Sequence, residues 1–131
     1  MPEEKDKEAL LPYIIAVDFD GTLVTNKFPE IGEIREKLWA AIQYAHWQGN
    51  KIILWTSRTG KTLDDAVEFC KLHGLEFDAV NENIAEVQAV GWNARKVFAN
   101  IYIDDRNATY DPLDGCFKPL PTCLGDAWLR N

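Results

Sequence analysis

The sequence predicts an α/β domain built on a mainly parallel sheet, and three observations carry that prediction. Short apolar runs rich in β-formers recur at residues 13–17 (YIIAV), 51–55 (KIILW), 77–80 and 101–103 (IYI). The first two are apolar nearly throughout rather than alternating, as expected of strands covered on both faces. Stretches of helical periodicity lie between them, and strand–helix alternation is the pattern of parallel crossovers. The 131 residues suffice for one such domain, which buries roughly two thirds of its unfolded surface without a disulfide or metal staple.

Along the chain, residues 1–10 read as a polar tail and residues 11–131 as a single domain. The start alternates acid and base through Lys7, unlike a signal peptide. The first strand stops at Asp18 and Gly21, and a loop from Thr22 to Glu30 is broken by Asn26 and Pro29. From Ile31, apolar residues recur at Ile34, Leu38, Ala41, Ile42 and Ala45, which predicts an amphipathic helix ended by Gly49. The second strand ends in Thr56-Ser57-Arg58. A second helix follows, with Leu63, Ala66, Val67 and Cys70 on one face and Gly74 closing it. Thr62 and Asp65 resemble a capping box at its start. A third strand covers residues 77–80, and residues 81–94 read as a short helix plus loop. The strand at 101–103 ends in Asp104 and Asp105. The tail from Arg106 carries three prolines and a short helix near Trp128.

Composition excludes several classes of function. Hydrophobic residues are 47% and charged residues 27%, a globular balance. The longest apolar run, from Ala9 to Val17, is interrupted by Pro12 and is far short of the roughly 18 residues of a membrane span. A net charge of −7 disfavours extended nucleic acid and anionic membranes as partners. Cys70, Cys116 and Cys123 lack the close pairing of a zinc site, and read as reduced thiols of a cytoplasmic protein. His46, His73 and the five tryptophans (Trp39, Trp47, Trp55, Trp92, Trp128) read as structural, the tryptophans as core or interface anchors. Gly60-Lys61-Thr62 ends like a phosphate-binding P-loop, but Trp55 stands where that loop requires glycine. Glu82, Asn83 and Glu86 read as a solvated face.

The chemistry concentrates where strands end, the edge at which parallel sheets bind ligands. Asp18-Phe19-Asp20-Gly21-Thr22 puts two carboxylates after a buried strand, with a glycine to turn the chain away. Asp-Gly is also a common turn pair, so the other strand ends carry the argument. Thr56 ends the second strand, and Asp104 with Asp105 ends the later one. Several carboxylates at one edge are costly unless a cation lies between them, and an all-oxygen set suits Mg²⁺. Lys96 and Arg58 are the nearest further positive charges.

These motifs resemble the haloacid dehalogenase (HAD) superfamily, whose phosphatases share a signature of four short motifs. DFDGT matches the first, ILWTSR through Thr56 looks like the second, Lys96 is similar to the third, and IYIDD looks like the fourth. The resemblance implies a three-layer α/β/α (Rossmannoid) domain, with too little chain between motifs for a cap. It implies a Mg²⁺-dependent phosphatase acting on a phosphate monoester, carried by a small molecule or a macromolecule, and oligomerisation is left open. Asp18 would be the nucleophile that forms an aspartyl-phosphate, and Asp20 the general acid and base. The backbone N–H groups from Phe19 onward, with Thr56, Ser57 and Lys96, would bind the phosphoryl group. Asp18, Asp20 (through its carbonyl), Asp104 and Asp105 would serve the metal, with either of the last two as the direct ligand. An acid two residues after the nucleophile suits an alkoxide leaving group rather than a halide. The alternatives are a receiver-like phosphoacceptor, whose motif order is reversed, and a non-catalytic binding module. The loop between Thr22 and Gly32 is either a local lid or specificity element, or a simple surface turn.

Overall fold

The computed structural model describes residues 13–105 and, by backbone alone, Tyr110–Asp111 and Cys116–Phe117. The polar tail 1–10, the proline-bearing tail beyond residue 105, its thiols and Trp128 lie outside the residues whose side chains are described. Strands β1 (Ile14–Val17), β2 (Lys51–Leu54), β3 (Ala79–Val80) and β4 (Ile101–Ile103) form a parallel sheet in the order β3-β2-β1-β4. Helices α1 (Glu36–Trp47) and α2 (Gly60–Leu72) connect the early strands, and a single turn, α3 (Ala85–Gln88), follows β3. A small antiparallel pair, β5 (Tyr110–Asp111) with β6 (Cys116–Phe117), lies beyond. Among the described residues no helix is long and apolar enough to cross a membrane.

β1 is central and buried along its whole length, with Ile14 opposite Lys51 on one side and Ile15 opposite Ile101 on the other. Successive side chains point to opposite faces of a strand, so one apolar run feeds two cores. Ile15, Val17, Ile52 and Leu54 pack with Trp39 and Ile42 of α1 and with Ala66 and Cys70 of α2. Ile14, Ala16, Ile53 and Ala79 pack with Ile84 and Val97, joined by Tyr102 and Val87. The two long helices therefore share one face. Among the described residues, the other face is covered by α3 and its flanking loops.

Element boundaries shift where long-range pairing overrides periodicity. The first helix begins at Glu36, not Ile31. Ile31 and Ile34 still reach the core, but in extended chain: Val24 bridges Ile34, Thr25 N–H donates to Glu33 O at 2.8 Å, and Arg35 N–H donates to Leu23 O at 2.9 Å. A Cβ on Gly32 would lie 2.0 Å from Thr25 O, so this close pairing needs glycine there. The capping-box reading of Thr62 and Asp65 fails. Thr59 is the N-cap, so Thr62 lies inside the first turn, its hydroxyl donating to Thr59 O at 2.8 Å while Asp65 pairs with Lys61 at 3.0 Å. The third strand shortens to Ala79–Val80 because Asp78 turns its carboxylate to the Ile52 N–H (2.8 Å) and His46 (3.2 Å).

The His46 ring pairs with Asp78, and the His73 ring packs beside Phe69 with its Nδ1 2.9 Å from Phe69 O, while the His73 carbonyl accepts from the Trp39 indole at 3.2 Å. Of the tryptophans, Trp39 is core, whereas Trp47 and Trp92 are exposed, contrary to a core assignment. Asn83, read as solvated, is buried; its amide donates to Trp92 O (2.8 Å) and its oxygen accepts from Phe98 N–H (2.6 Å), clamping the loop on that face. Cys70 is a free buried thiol, and burial pushes its pKa up to about 12, so it is inert.

Candidate active site

The parallel register brings the carboxyl ends of β1, β2 and β4 to one edge. Val17 pairs with both Leu54 and Ile103, so Asp18, Trp55 and Asp104 leave the sheet side by side. Asp18 N–H donates to Ile103 O at 2.9 Å and Trp55 N–H to Val17 O at 2.9 Å, which extends the ladder to the last residue before the chains diverge. Three N–H groups, of Thr22, Leu23 and Val24, then converge on Phe19 O within 3.2 Å. This tight turn seats the fully buried Phe19 ring in the core and leaves Asp18 and Asp20 at the edge.

Two clefts meet there. One, of about 440 Å³, is lined by Asp18, Trp55, Thr56, Ser57, Asn81, Asp104 and Asp105. The other, of about 520 Å³, takes in Asp18, Asp20, Asn26, Phe28, Thr56, Ser57, Arg58 and Asp105. Asp18, Thr56, Ser57 and Asp105 belong to both, so residues distant in sequence share one pocket. Gly21 makes this approach possible. Its φ of +80° is a left-handed conformation, and a Cβ there would stand 2.2 Å from Asp105 Oδ2. The glycine expected only to turn the chain thus also makes room for the Asp105 carboxylate, which lies against the DFDGT turn.

The two acids of that turn differ. Burial pushes the Asp18 carboxyl from its ordinary 3.8 up to about 6, opposed by the Phe19 backbone N–H and reinforced by Asp105, Asp104 and Asp20. Thr22 Oγ1 donates to its Oδ2 at 3.4 Å. Asp20 instead meets Arg58 in a two-pronged pair, Nε to Oδ2 at 2.7 Å and Nη2 to Oδ1 at 2.8 Å. Arg58 is 2% exposed, and its remaining N–H groups go to Pro29 O, Thr62 O and Glu30 O at 3.2, 3.0 and 2.8 Å. All five donors of the guanidinium are therefore used. The Asp20 carboxylate holds that guanidinium even further from losing its proton.

Lys96 is not brought to this edge. It is exposed, with Nζ 5.3 Å over the Tyr102 ring, and lines a separate cavity with Trp92, Phe98 and Tyr102. Tyr102 faces the opposite core from Ile103, and its hydroxyl donates to Val97 O, which ties the Lys96 segment to that side. The expected phosphate-binding role of Lys96 has no geometric support here. Thr56 is in place, but its N–H already donates to Asn81 Oδ1 at 2.8 Å, and its hydroxyl oxygen accepts from Arg58 N–H at 3.2 Å. The hydroxyl proton is what Thr56 has to offer an anion.

Sequence reasoning missed the roles of three residues. Asn81, in a left-handed conformation at φ 54°, positions Thr56; its signal was a polar residue directly after a third strand. Trp55, read as an anchor, borders the cleft. Arg58 stood out only as nearby charge, because nothing local announces a partner as distant as Asp20.

The oxygen donors of this edge are of the kind a divalent cation takes: burial raises Asp18 most, Asp105, Asp104 and Asp20 add a repulsion that a cation would relieve, and the Asp105 carboxylate lies against the backbone at Gly21. Among the described residues, however, no three His, Cys, Asp or Glu side chains form a ready-made cation shell. Because Arg58 holds the Asp20 carboxylate, Asp20 would contribute through its main-chain carbonyl.

No family model matches this chain, and no curated protein matches it. Among solved structures, a conserved protein coded by a locus of Bacteroides thetaiotaomicron is similar, with a TM-score of 0.69 and 40% sequence identity over 77% of this chain and 82% of that one. The chain belongs to the same family as that protein.

Proposed function

We propose that the protein is a Mg²⁺-dependent phosphohydrolase of HAD type, acting on a phosphate monoester. The observation that carries this reading is the shared cleft in which Asp18, Thr56, Ser57 and Asp105 meet at the ends of parallel strands. Asp18 attacks phosphorus; the ester P–O bond breaks and an aspartyl-phosphate forms. The leaving oxygen takes a proton from Asp20 and departs as an alcohol. Asp20 then removes a proton from water, which attacks the phosphorus, releases inorganic phosphate and restores Asp18. The Thr56 hydroxyl and the backbone N–H groups of the turn orient the phosphoryl oxygens. Mg²⁺, held by Asp18, the Asp20 carbonyl and Asp104 or Asp105, would supply the positive charge that lets a carboxylate approach a phosphate dianion. That charge has no other source in the described cleft, since Arg58 is engaged and Lys96 lies elsewhere. A chain without a cap would leave the cleft open to substrates carried on larger molecules.

The grip of Arg58 on both Asp20 oxygens favours one second reading. If Asp20 cannot release a guanidinium N–H to carry a proton, the protein is a phosphoacceptor that keeps its aspartyl-phosphate. One experiment separates them: hydrolysis of a phosphate-ester panel by wild type, Asp18→Asn and Asp20→Asn, with Mg²⁺ or chelator. Release should depend on the metal and vanish in Asp18→Asn, and Asp20→Asn should lose about 10²–10⁴ in turnover. A phosphorylated wild type that does not turn over selects the second reading. Activity surviving Asp18→Asn defeats both.

A further inference from the structure

Beyond the bond that is cut, the cleft indicates what kind of molecule is attached to the phosphate. We propose that Phe28 determines specificity, and that the substrate's leaving group carries a planar unsaturated ring. The inference rests on the phosphatase reading and deepens it. The ring is either an aryl group or a nucleobase, whose shared chemistry is a flat π-face.

The two clefts diverge from their common residues, and only one of them contains Asp20. A leaving oxygen protonated by Asp20 must lie on that side, so the group attached to it enters the cleft lined by Asn26 and Phe28. Phe28 is 56% exposed, a large apolar ring on the wall of an otherwise polar cleft. It is also held in place. Arg58 Cζ lies 5.1 Å from the Phe28 centroid and equally over Phe19, and Arg58 is itself fixed by Asp20 and three carbonyls. Phe28 N–H donates to Asn26 Oδ1 at 3.3 Å, which ties the loop back on itself. A ring ordered before binding loses little freedom when a second ring stacks on it.

A volume of about 520 Å³ admits a molecule of nucleoside size. Trp55 is the weaker candidate for this role, because it lines the other cleft and packs against the core of Ile84 and Val97.

The test compares kcat/KM of the full chain in millimolar Mg²⁺ on phenyl phosphate, a nucleoside 5′-monophosphate and glycerol 1-phosphate. The variants are Phe28→Ala, Phe28→Leu and Phe28→Tyr, each with its melting temperature. Stacking on an aromatic side chain is typically worth enough that Phe28→Ala should lose about tenfold or more on a planar ester and a much smaller factor on the glycerol ester. Phe28→Leu keeps apolar contact with Arg58 and should show the same selective loss, and Phe28→Tyr should restore it. Which planar ester is affected tells aryl from nucleobase. Equal losses on all three esters, or none, overturn the proposal while leaving the phosphatase reading standing. If folded wild type hydrolyses none of them, both fall.

Discussion

Asp18 and Asp20 are separated by one residue on the same strand end, yet they occupy electrostatically opposite halves of the cleft. Around Asp18, Asp104 and Asp105 the acids are crowded, and burial with mutual repulsion pushes the Asp18 carboxyl up to about 6. Around Asp20, a buried guanidinium takes both carboxylate oxygens and fastens Pro29, Glu30 and Thr62 to the same point. One half is crowded with acids, and the other holds its acid in a buried ion pair. Identical side chains thus acquire different chemistry from partners remote in the chain, and local sequence does not set their state.

The largest blow to this contrast is Arg58→Ala. Removing one partner from a buried pair leaves Asp20 and three carbonyls without donors, and the expected loss is about 3–5 kcal/mol in denaturant unfolding. A loss within about 0.5 kcal/mol, the range of ordinary surface changes, would mean that the compensated half does not exist as described.

Asp18→Asn tests the anionic half. A raised pKa means that folding favours the protonated acid. The stability associated with this group is full below about 3.8 and is lost as pH rises through about 6. In chelator, Asp18→Asn should therefore melt higher than wild type at pH 8. The gain should be on the order of 1–2 kcal/mol, reduced by solvent reaching the group, and should fade below pH 4. Adding Mg²⁺ should raise the wild-type melting point and narrow the gap. Equal melting at pH 8 would show that Asp18 is not strained by its neighbours.

Gly21→Ala addresses the seam between the halves. Its left-handed φ costs an L-residue about 1–2 kcal/mol, and its Cβ would push the Asp105 carboxylate aside. Stability should fall by that amount while Mg²⁺ affinity, read by the metal-induced melting shift, falls with it. An unchanged metal shift would remove Asp105 from the cation site.

Much of this molecule is legible in the chain itself. Ile14–Val17 and residues 52–55 are apolar runs too continuous for any place but the middle of a covered sheet, and polar residues, Asp18 and Thr56, follow each directly. Water excludes the one and solvates the other, so strand, edge and the positions of Asp18, Thr56 and Asp105 follow from composition and order. Periodicity is a weaker guide. Ile31 and Ile34 fit a helix by spacing, yet pairing with residues 23–25 keeps them extended. What only tertiary structure decided is pairing at a distance: that Arg58 reaches Asp20, that Asn81 holds Thr56, and that Lys96 sits over Tyr102 away from the cleft. Hydrophobic burial acts on each segment's own pattern, whereas hydrogen bonds and ion pairs depend on ångström-scale approach between segments, which exists only once the chain has closed on itself.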